Sequence, residues 1–385
     1  MPLSNIEFDR KRLLIAGRCA ETIFRQRSLL GKAALTAGWR VSVTGDDSGP
    51  DYSALLASNG FAFDPVKVNQ SSKNPLSILT LVLAYRGAIR DVRPSIFHAF
   101  NIKPTVAGLI AARTCGVPVI IATVAGLGHA VLSPNPFVRW ASIILFRIAF
   151  TAAHRVYFYN SDDMNYFVEK KIVAPKKAML INGSGVDTTR FSHQPPPASA
   201  RFTALFIGRL LNEKGINELF SAARLLKASG SLADIHIVGD IDSNNPSSIT
   251  HHDIAREVAA GNVTWHGSTN DVVPFIQAAH AIVLPSYREG IPLVLIEGAA
   301  VGRALIATDV AGCHDVVRNG VTGILVPLGD VHALASAIDA LANDRERTDA
   351  MGNAARQDVL ARFDAQVVNA AVLADYDQLL AKAPM

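Results

Sequence analysis

Residues 281–309 read AIVLPSYREGIPLVLIEGAAVGRALIATD. Apolar, β-branched residues run to Ser286, a short polar loop carries Tyr287, Arg288, Glu289 and Gly290, and a helical stretch holding Glu297 follows. A second apolar run, RALIATD (303–309), resumes after Gly302. A strand, a Gly-containing loop, a helix and another buried strand form a βαβ unit, and such units build parallel sheets with helices on both faces.

The same alternation extends in both directions. Downstream lies GILVP (323–327), with helices from about Val331 onward. Upstream lie FTALFIG (202–208), a helix over 217–229, ADIHIVG (233–239) and NVTWHG (262–267). FSHQPPPASAR (191–201), with three consecutive prolines, interrupts the pattern and reads as a connector. Before it stands another series: RLLIAG (12–17), a helix over 24–37, WRVSVTG (39–45), SIFHAF (95–100), VPVIIATV (117–124), RVYFYN (155–160) and KAMLIN (177–182), with helices over 76–91 and 103–114 between strands. The fold class is therefore α/β, with two doubly wound parallel-sheet domains and a cleft between them. The expected division is 1–190, 191–365, and a C-terminal helix over 366–385 packing back on the first domain.

Composition narrows the function. Hydrophobic residues make up 49% of 385 and charged residues 18%, which suits packed cores rather than disorder. Cys19, Cys115 and Cys313 stand far apart and form no metal-binding pair. FVRWASIILFRIAF (137–150) is interrupted by two arginines and falls short of the roughly 20 apolar residues of a spanning helix, so it reads as buried or interfacial. With no secretion signal read at the N-terminus, a cytoplasmic location is expected. Residues 1–185 carry 22 Lys+Arg against 11 Asp+Glu, and the remainder 15 against 22. The basic half points to an anionic partner. Nucleic acid is disfavoured because the cations are dispersed and show no aromatic interleaving.

Chemistry concentrates where strands end. Gly290 permits close backbone approach, and the amides at Leu293 and Val294 would face an anion at the helix start. Glu289 and Glu297 could accept hydroxyl hydrogen bonds beside it. Gly208, Arg209 and Lys214 follow the first strand of the second domain. These two cations can neutralise a diphosphate, Arg209 as a planar fork and Lys214 as a point charge. Either element alone could be ordinary surface; together they describe a sugar-diphosphate site.

This set of elements resembles the retaining GT-B glycosyltransferases of family 4. The match rests on Glu289-x7-Glu297, Gly208-Arg209-x4-Lys214, GVDTTRF (185–191) and ATDVAGCHDVVRNGVTGILVP (307–327). More loosely, TVAGLGHAV (123–131), VYFYNSDD (156–163) and VGDIDSNNPSSI (238–249) are similar to a bacterial subgroup that builds capsule, O-antigen and other lipid-linked oligosaccharides. The resemblance implies two Rossmann-like domains facing across a cleft and transfer from a nucleotide sugar with retention of configuration. It implies that Arg209 and Lys214 hold the donor diphosphate, Glu289 the donor-sugar hydroxyls and Glu297 the ribose. The turn through Gly290, Ile291, Pro292 and Leu293 reaches sugar or phosphates, and Gly17 admits the first domain to the diphosphate. Glu289, Arg209 and Lys214 are the expected catalytic set.

No metal and no cofactor are implied, and Asp240-Ile241-Asp242 reads as a loop feature. UDP is the commonest donor nucleotide of the family. The implied acceptor is a polyprenyl-diphosphate-linked sugar at the cytoplasmic face of the inner membrane. The helix near 137–150 and Lys170, Lys171, Lys176 and Lys177 are expected to contact headgroups. The family's histidine on the first domain is replaced here by Thr123–Gly126; His98, Gly126 and His129 are the candidate acceptor-side residues. A nucleotide-sugar 2-epimerase of the same architecture is the alternative activity, though its proton-transfer chemistry does not call for these motifs.

Overall fold

A computed structural model describes residues 9–47, 50–68, 76–127, 133 and 135–383. The chain divides into two compact units, Met1–Gly185 with Ala365–Met385, and Val186–Asp364.

In the first unit the elements run β1 (Asp9–Cys19), α1 (Ala20–Thr36), β2 (Arg40–Asp46), α2 (Pro50–Ser58), β3 (Ala62–Pro65), α3 (Leu76–Val92), β4 (Pro94–Phe100), α4 (Ile102–Thr114), β5 (Val119–Val124), α5 (Pro136–Ala152), β6 (Arg155–Phe158), α6 (Ser161–Glu169) and β7 (Ala178–Leu180). The strands form one parallel sheet in the order β3-β2-β1-β4-β5-β6-β7. β4 and β5 are buried along their whole length, as strands covered by helices on both faces must be.

The second unit holds β8 (Phe202–Ile207), α7 (Ile216–Ala228), β9 (Ala233–Val238), α8 (His251–Ala259), β10 (Thr264–Trp265), α9 (Val273–Gln277), β11 (Ala281–Leu284), α10 (Leu293–Val301), β12 (Ala304–Thr308), α11 (Cys313–Val316), β13 (Gly323–Val326), α12 (Val331–Asn343) and α13 (Arg345–Arg362). Its parallel sheet is ordered β10-β9-β8-β11-β12-β13. The chain builds outward from β8 through β9 to β10, then returns to β8's other side with β11. The β8/β11 junction is thus a topological switch point, where loops leave in opposite directions and open a crevice beyond the strands' carboxyl ends.

The last helix, α14 (Ala365–Lys382), belongs to the first unit. Val372 and Tyr376 join Leu13, Ile15, Ile96 and Tyr157 in its core. Asp375 receives both Arg155 (2.7 Å) and the Tyr157 hydroxyl (2.7 Å).

Two expectations need correction. The units meet at Gly185/Val186 and Asp364/Ala365 rather than at 190/191 and 365/366. The proline-rich stretch 191–201 is not a connector, because it lies inside the second unit and is bonded to it. The Gln194 N–H donates to the Val301 carbonyl (3.1 Å), and the carbonyls of Pro195 and Pro197 accept from Arg303 (3.2 Å) and His280 (3.1 Å). Backbone carbonyls with buried partners are structural parts of a domain whatever the local composition.

Candidate donor site

The site grows out of the switch point of the second unit. β8 delivers Gly208 and Arg209 to its carboxyl edge, and a single 3-10 turn (Asn212–Lys214) presents Lys214. Gly215 closes that turn in the left-handed region (φ +72°), and a Cβ there would lie 2.0 Å from the Pro285 carbonyl oxygen. The loops after β8 and β11 therefore touch at backbone distance. Tyr287 N–H donates to the Glu213 carbonyl (2.9 Å), tying them together.

This contact brings Lys214 Nζ within 2.5 Å of Glu289 Oε1. Glu289 is seated by its own backbone, whose N–H donates to the Ala311 carbonyl (3.1 Å). Gly312 (φ +81°) supplies the third wall, and a Cβ on it would stand 2.7 Å from the Glu289 carbonyl oxygen. The side chains of Lys214 and Glu289 keep 24% and 11% exposure, so the pair is partly shielded yet open to a ligand. Arg209, largely exposed, points to Asp242 at 3.4 Å. Both expected phosphate-binding cations thus have carboxylate neighbours.

Past Glu289, Gly290, Ile291 and Pro292 lead into α10. Pro292 (φ −81°, ψ 100°) is the residue before the helix, and its side chain makes no cap hydrogen bond. The amides opening α10 are the kind of positive pole that takes an anion. Glu297 lies on α10, partly buried, and loss of hydration pushes its carboxyl pKa up to about 7, with Arg190 opposing the shift. Arg190 itself is bridged to Asp271 at 3.0 Å. Behind Glu289, the fully buried Cys313 thiol is pushed far above its ordinary range by burial and, secondarily, by the Glu289 charge.

Among the candidates in the first unit, Gly17 lies near the end of β1, where a Cβ would meet Ile23 Cγ1 at 2.5 Å. Packing of β1 against α1 alone requires glycine there. Gly126 (φ +150°) follows β5. His129 lies outside the described residues. His98 is 1% exposed on β4, with Nδ1 at 2.5 Å from the Tyr376 hydroxyl and Nε2 at 2.7 Å from Thr123 Oγ1. Burial and the Arg27 charge hold its pKa well below the usual histidine range. As an acceptor-side residue His98 is therefore corrected to a neutral core histidine with both nitrogens engaged.

Sequence reading misses Asp242 and Gly312. Asp242 sits in a Gly-Asp-x-Asp turn after β9, a pattern that by itself reads only as a loop feature. Gly312 lies in AGCHD, where only the fold shows how close Glu289 comes.

With this geometry in place, comparison with known proteins is decisive. The family model for glycosyl transferases group 1 matches residues 187–358, and that for glycosyl transferase 4-like proteins matches 28–160. The chain is a glycosyltransferase. Its two parallel-sheet units are those of the GT-B architecture. The glycosyltransferase is 24% identical over 347 residues to the N,N'-diacetylbacillosaminyl-diphospho-undecaprenol α-1,3-N-acetylgalactosaminyltransferase of Campylobacter jejuni, covering 86% of this chain and 89% of that one. It is 24% identical over 303 residues to the capsular polysaccharide biosynthesis glycosyltransferase CapM of Staphylococcus aureus, covering 76% and 78%. Among solved structures, HepE of Anabaena in complex with UDP and glucose superposes with a TM-score of 0.77 at 18% identity, over 96% of this chain and 100% of that one.

Proposed function

We infer that this glycosyltransferase moves a hexose or N-acetylhexosamine, with retention of configuration, from a UDP-linked donor to a hydroxyl of a lipid-linked sugar. The observation that carries the reading is the Lys214–Glu289 pair at the β8/β11 switch point, with Arg209 in the same loop after β8 and the start of α10 following Glu289. A uridine diphosphate leaving group develops negative charge as the sugar–oxygen bond breaks. Two cations and a helix N-terminus are suited to that charge, and preorganised electrostatics of this kind usually supply the largest share of rate enhancement. Binding the diphosphate would exchange Glu289 and Asp242 for phosphate oxygens as partners of Lys214 and Arg209. Glu289, released, is free to accept a donor-sugar hydroxyl, and Glu297, once ionised, can accept ribose hydroxyls.

The cations would carry the leaving-group charge without a divalent ion, so the site is proposed to be metal-independent. UDP as the nucleotide is supported by the bound ligand of the Anabaena neighbour. The diphospho-undecaprenol substrate of the Campylobacter relative and the capsular role of the Staphylococcus relative support a lipid-linked acceptor in polysaccharide synthesis, and we place that reaction at the cytoplasmic face of a membrane.

The test is transfer of radiolabelled sugar from UDP-sugars to a polyprenyl-diphosphate sugar by the wild type, Lys214→Ala and Glu289→Ala. Losing either group should reduce kcat by about 100-fold or more. Near-wild-type turnover in both variants overturns the mechanism, and product formed without acceptor would revive the epimerase.

A further inference from the structure

Arg27 is a buried cation that meets no acid. It stands on the inner face of α1 at 4% exposure. Its Nη1 donates to the Tyr159 hydroxyl (2.5 Å) and to the Gln26 carbonyl (3.4 Å), and its Nη2 to the Gln26 side-chain oxygen (3.4 Å). All three acceptors are neutral. The guanidinium carbon lies 4.0 Å from the centre of the Phe100 ring, which offsets part of the charge. Among the described residues no carboxylate pairs with Arg27. Asp375, the buried acid on α14, is engaged by Arg155 and Tyr157 instead. A cation buried in this way destabilises the fold unless a negative charge is supplied.

The polar groups around Arg27 are donors too. With Phe100, Thr123, Tyr159, Ser184 and Asn369 it lines a recess of about 20 Å³, room for one water-sized species. Asn369, on α14, is 4% exposed, and its side-chain amide makes no hydrogen bond with the described residues. The same holds for the Ser184 hydroxyl, in the segment after β7. A guanidinium cannot accept, so Tyr159 accepts from Arg27 and its own proton is left to donate. Thr123 is occupied by His98, a ring kept neutral by burial and then by the Arg27 charge. A water would bring its own hydrogens into this ring of donors. A species that only accepts, and carries negative charge, satisfies the hydroxyls, the Asn369 NH2 and the guanidinium together.

We propose that this recess binds a monatomic anion, chloride, held by Arg27, Tyr159, Ser184 and Asn369. The recess is too small for a phosphate with its shell of oxygens. The four ligands come from α1, the residue after β6, the segment after β7 and α14. Ser184 stands just before the chain leaves the first unit at Gly185/Val186, and Asn369 just after it returns at Asp364/Ala365. The ion therefore fixes both crossing segments to the core of the first unit, and chloride stabilises that unit by mass action. The donor loops belong to the other unit, so this site is separate from the donor site.

The test is thermal unfolding of the full chain in sodium gluconate, chloride, bromide or phosphate at constant ionic strength, using wild type, Arg27→Met and Asn369→Asp. Replacing gluconate by chloride or bromide should raise the wild-type melting temperature by about 3–6 °C relative to both variants once the halide exceeds its dissociation constant about tenfold. Phosphate should not reproduce the shift. Asn369→Asp supplies the missing negative charge from α14, so it should melt in gluconate no lower than wild type and ignore halide. That variant decides the matter even where Arg27→Met fails to fold. Crystals soaked in sodium bromide should show anomalous density within hydrogen-bond distance of Arg27 and Asn369. A wild-type melting point equal in chloride and gluconate, a halide response retained by Asn369→Asp, or the absence of bromide from the recess overturns the site. A shift with phosphate but not with halide also overturns it and assigns the recess to an oxyanion.

Discussion

Replacing Glu297 with Gln should make the ligand-free protein more stable at alkaline pH and make it bind nucleotide more weakly. In the native state burial pushes the Glu297 carboxyl up to about 7 from an ordinary value of 4.5. Between those two values the folded chain holds a proton that the unfolded chain has released, so stability falls as pH rises through that window. The full difference corresponds to about 3 kcal/mol. Glu297 keeps some contact with water, and screening reduces the usable part to about 2 kcal/mol. Glutamine reproduces the shape of the protonated acid and never ionises. For a unit of this size the variant should therefore melt about 4–8 °C higher than wild type near pH 8, with the gap closing near pH 5. The assay is thermal unfolding at both pH values without ligand. Nucleotide affinity should move the other way. A carboxylate accepting ribose hydroxyls contributes about 1.5–3 kcal/mol, so the variant should bind UDP about 10–100-fold more weakly, and wild-type affinity should rise as pH passes through about 7. A stability gap independent of pH, or a variant less stable than wild type near pH 8, would refute the assignment of Glu297 as a carboxyl held protonated by burial.

Other consequences are independent of Glu297. Gly215→Ala would drive a Cβ into the Pro285 carbonyl in a left-handed conformation; it should cost at least about 2–3 kcal/mol in thermal unfolding and displace Lys214, whereas a wild-type melting point would show that the two loops are not in contact. Asp242→Asn frees Arg209 from an exposed ion pair, so UDP affinity at low salt should rise by no more than about fivefold, and weaker binding would show that Asp242 contacts the ligand. Asp375→Ala leaves the Arg155 guanidinium without its carboxylate in the first unit and should destabilise it by about 3–5 kcal/mol; a loss under about 1 kcal/mol would contradict the role of α14 as part of that core. Transfer in the presence of EDTA should remain within about twofold of the untreated rate, and abolition restored by a divalent ion would contradict a leaving group stabilised by Arg209 and Lys214.

Much of this is legible in the residues because parallel strands buried on both faces leave near-continuous apolar runs. RLLIAG, VPVIIATV, FTALFIG and AIVLPS all mark real strands to within a few residues. β3 escapes because Ala62–Pro65 is a short edge strand containing Asp64 and Pro65, with no apolar run to signal it. The proline stretch 191–201 misleads for a related reason. Local composition says nothing of Arg303 and His280, which come from more than 80 residues away to bond its carbonyls. The site is legible as a set of residues but not as a geometry. Glu289-x7-Glu297 and Arg209-x4-Lys214 are readable spacings, while the Lys214–Glu289 ion pair depends on two glycines, Gly215 and Gly312, admitting backbone where a Cβ would collide. His98 lies near the end of a strand as a functional histidine might, and only the packing of Tyr376 and Thr123 against both nitrogens shows its structural role.

The central claim is that the donor's diphosphate lies at the β8/β11 switch point. A crystal structure with UDP bound tests it directly. The account predicts phosphate oxygens within hydrogen-bond distance of Lys214 Nζ and the Arg209 guanidinium, with the Lys214–Glu289 pair opened and the α10 amides facing the anion. A diphosphate bound away from these groups, with that ion pair still closed, would contradict it.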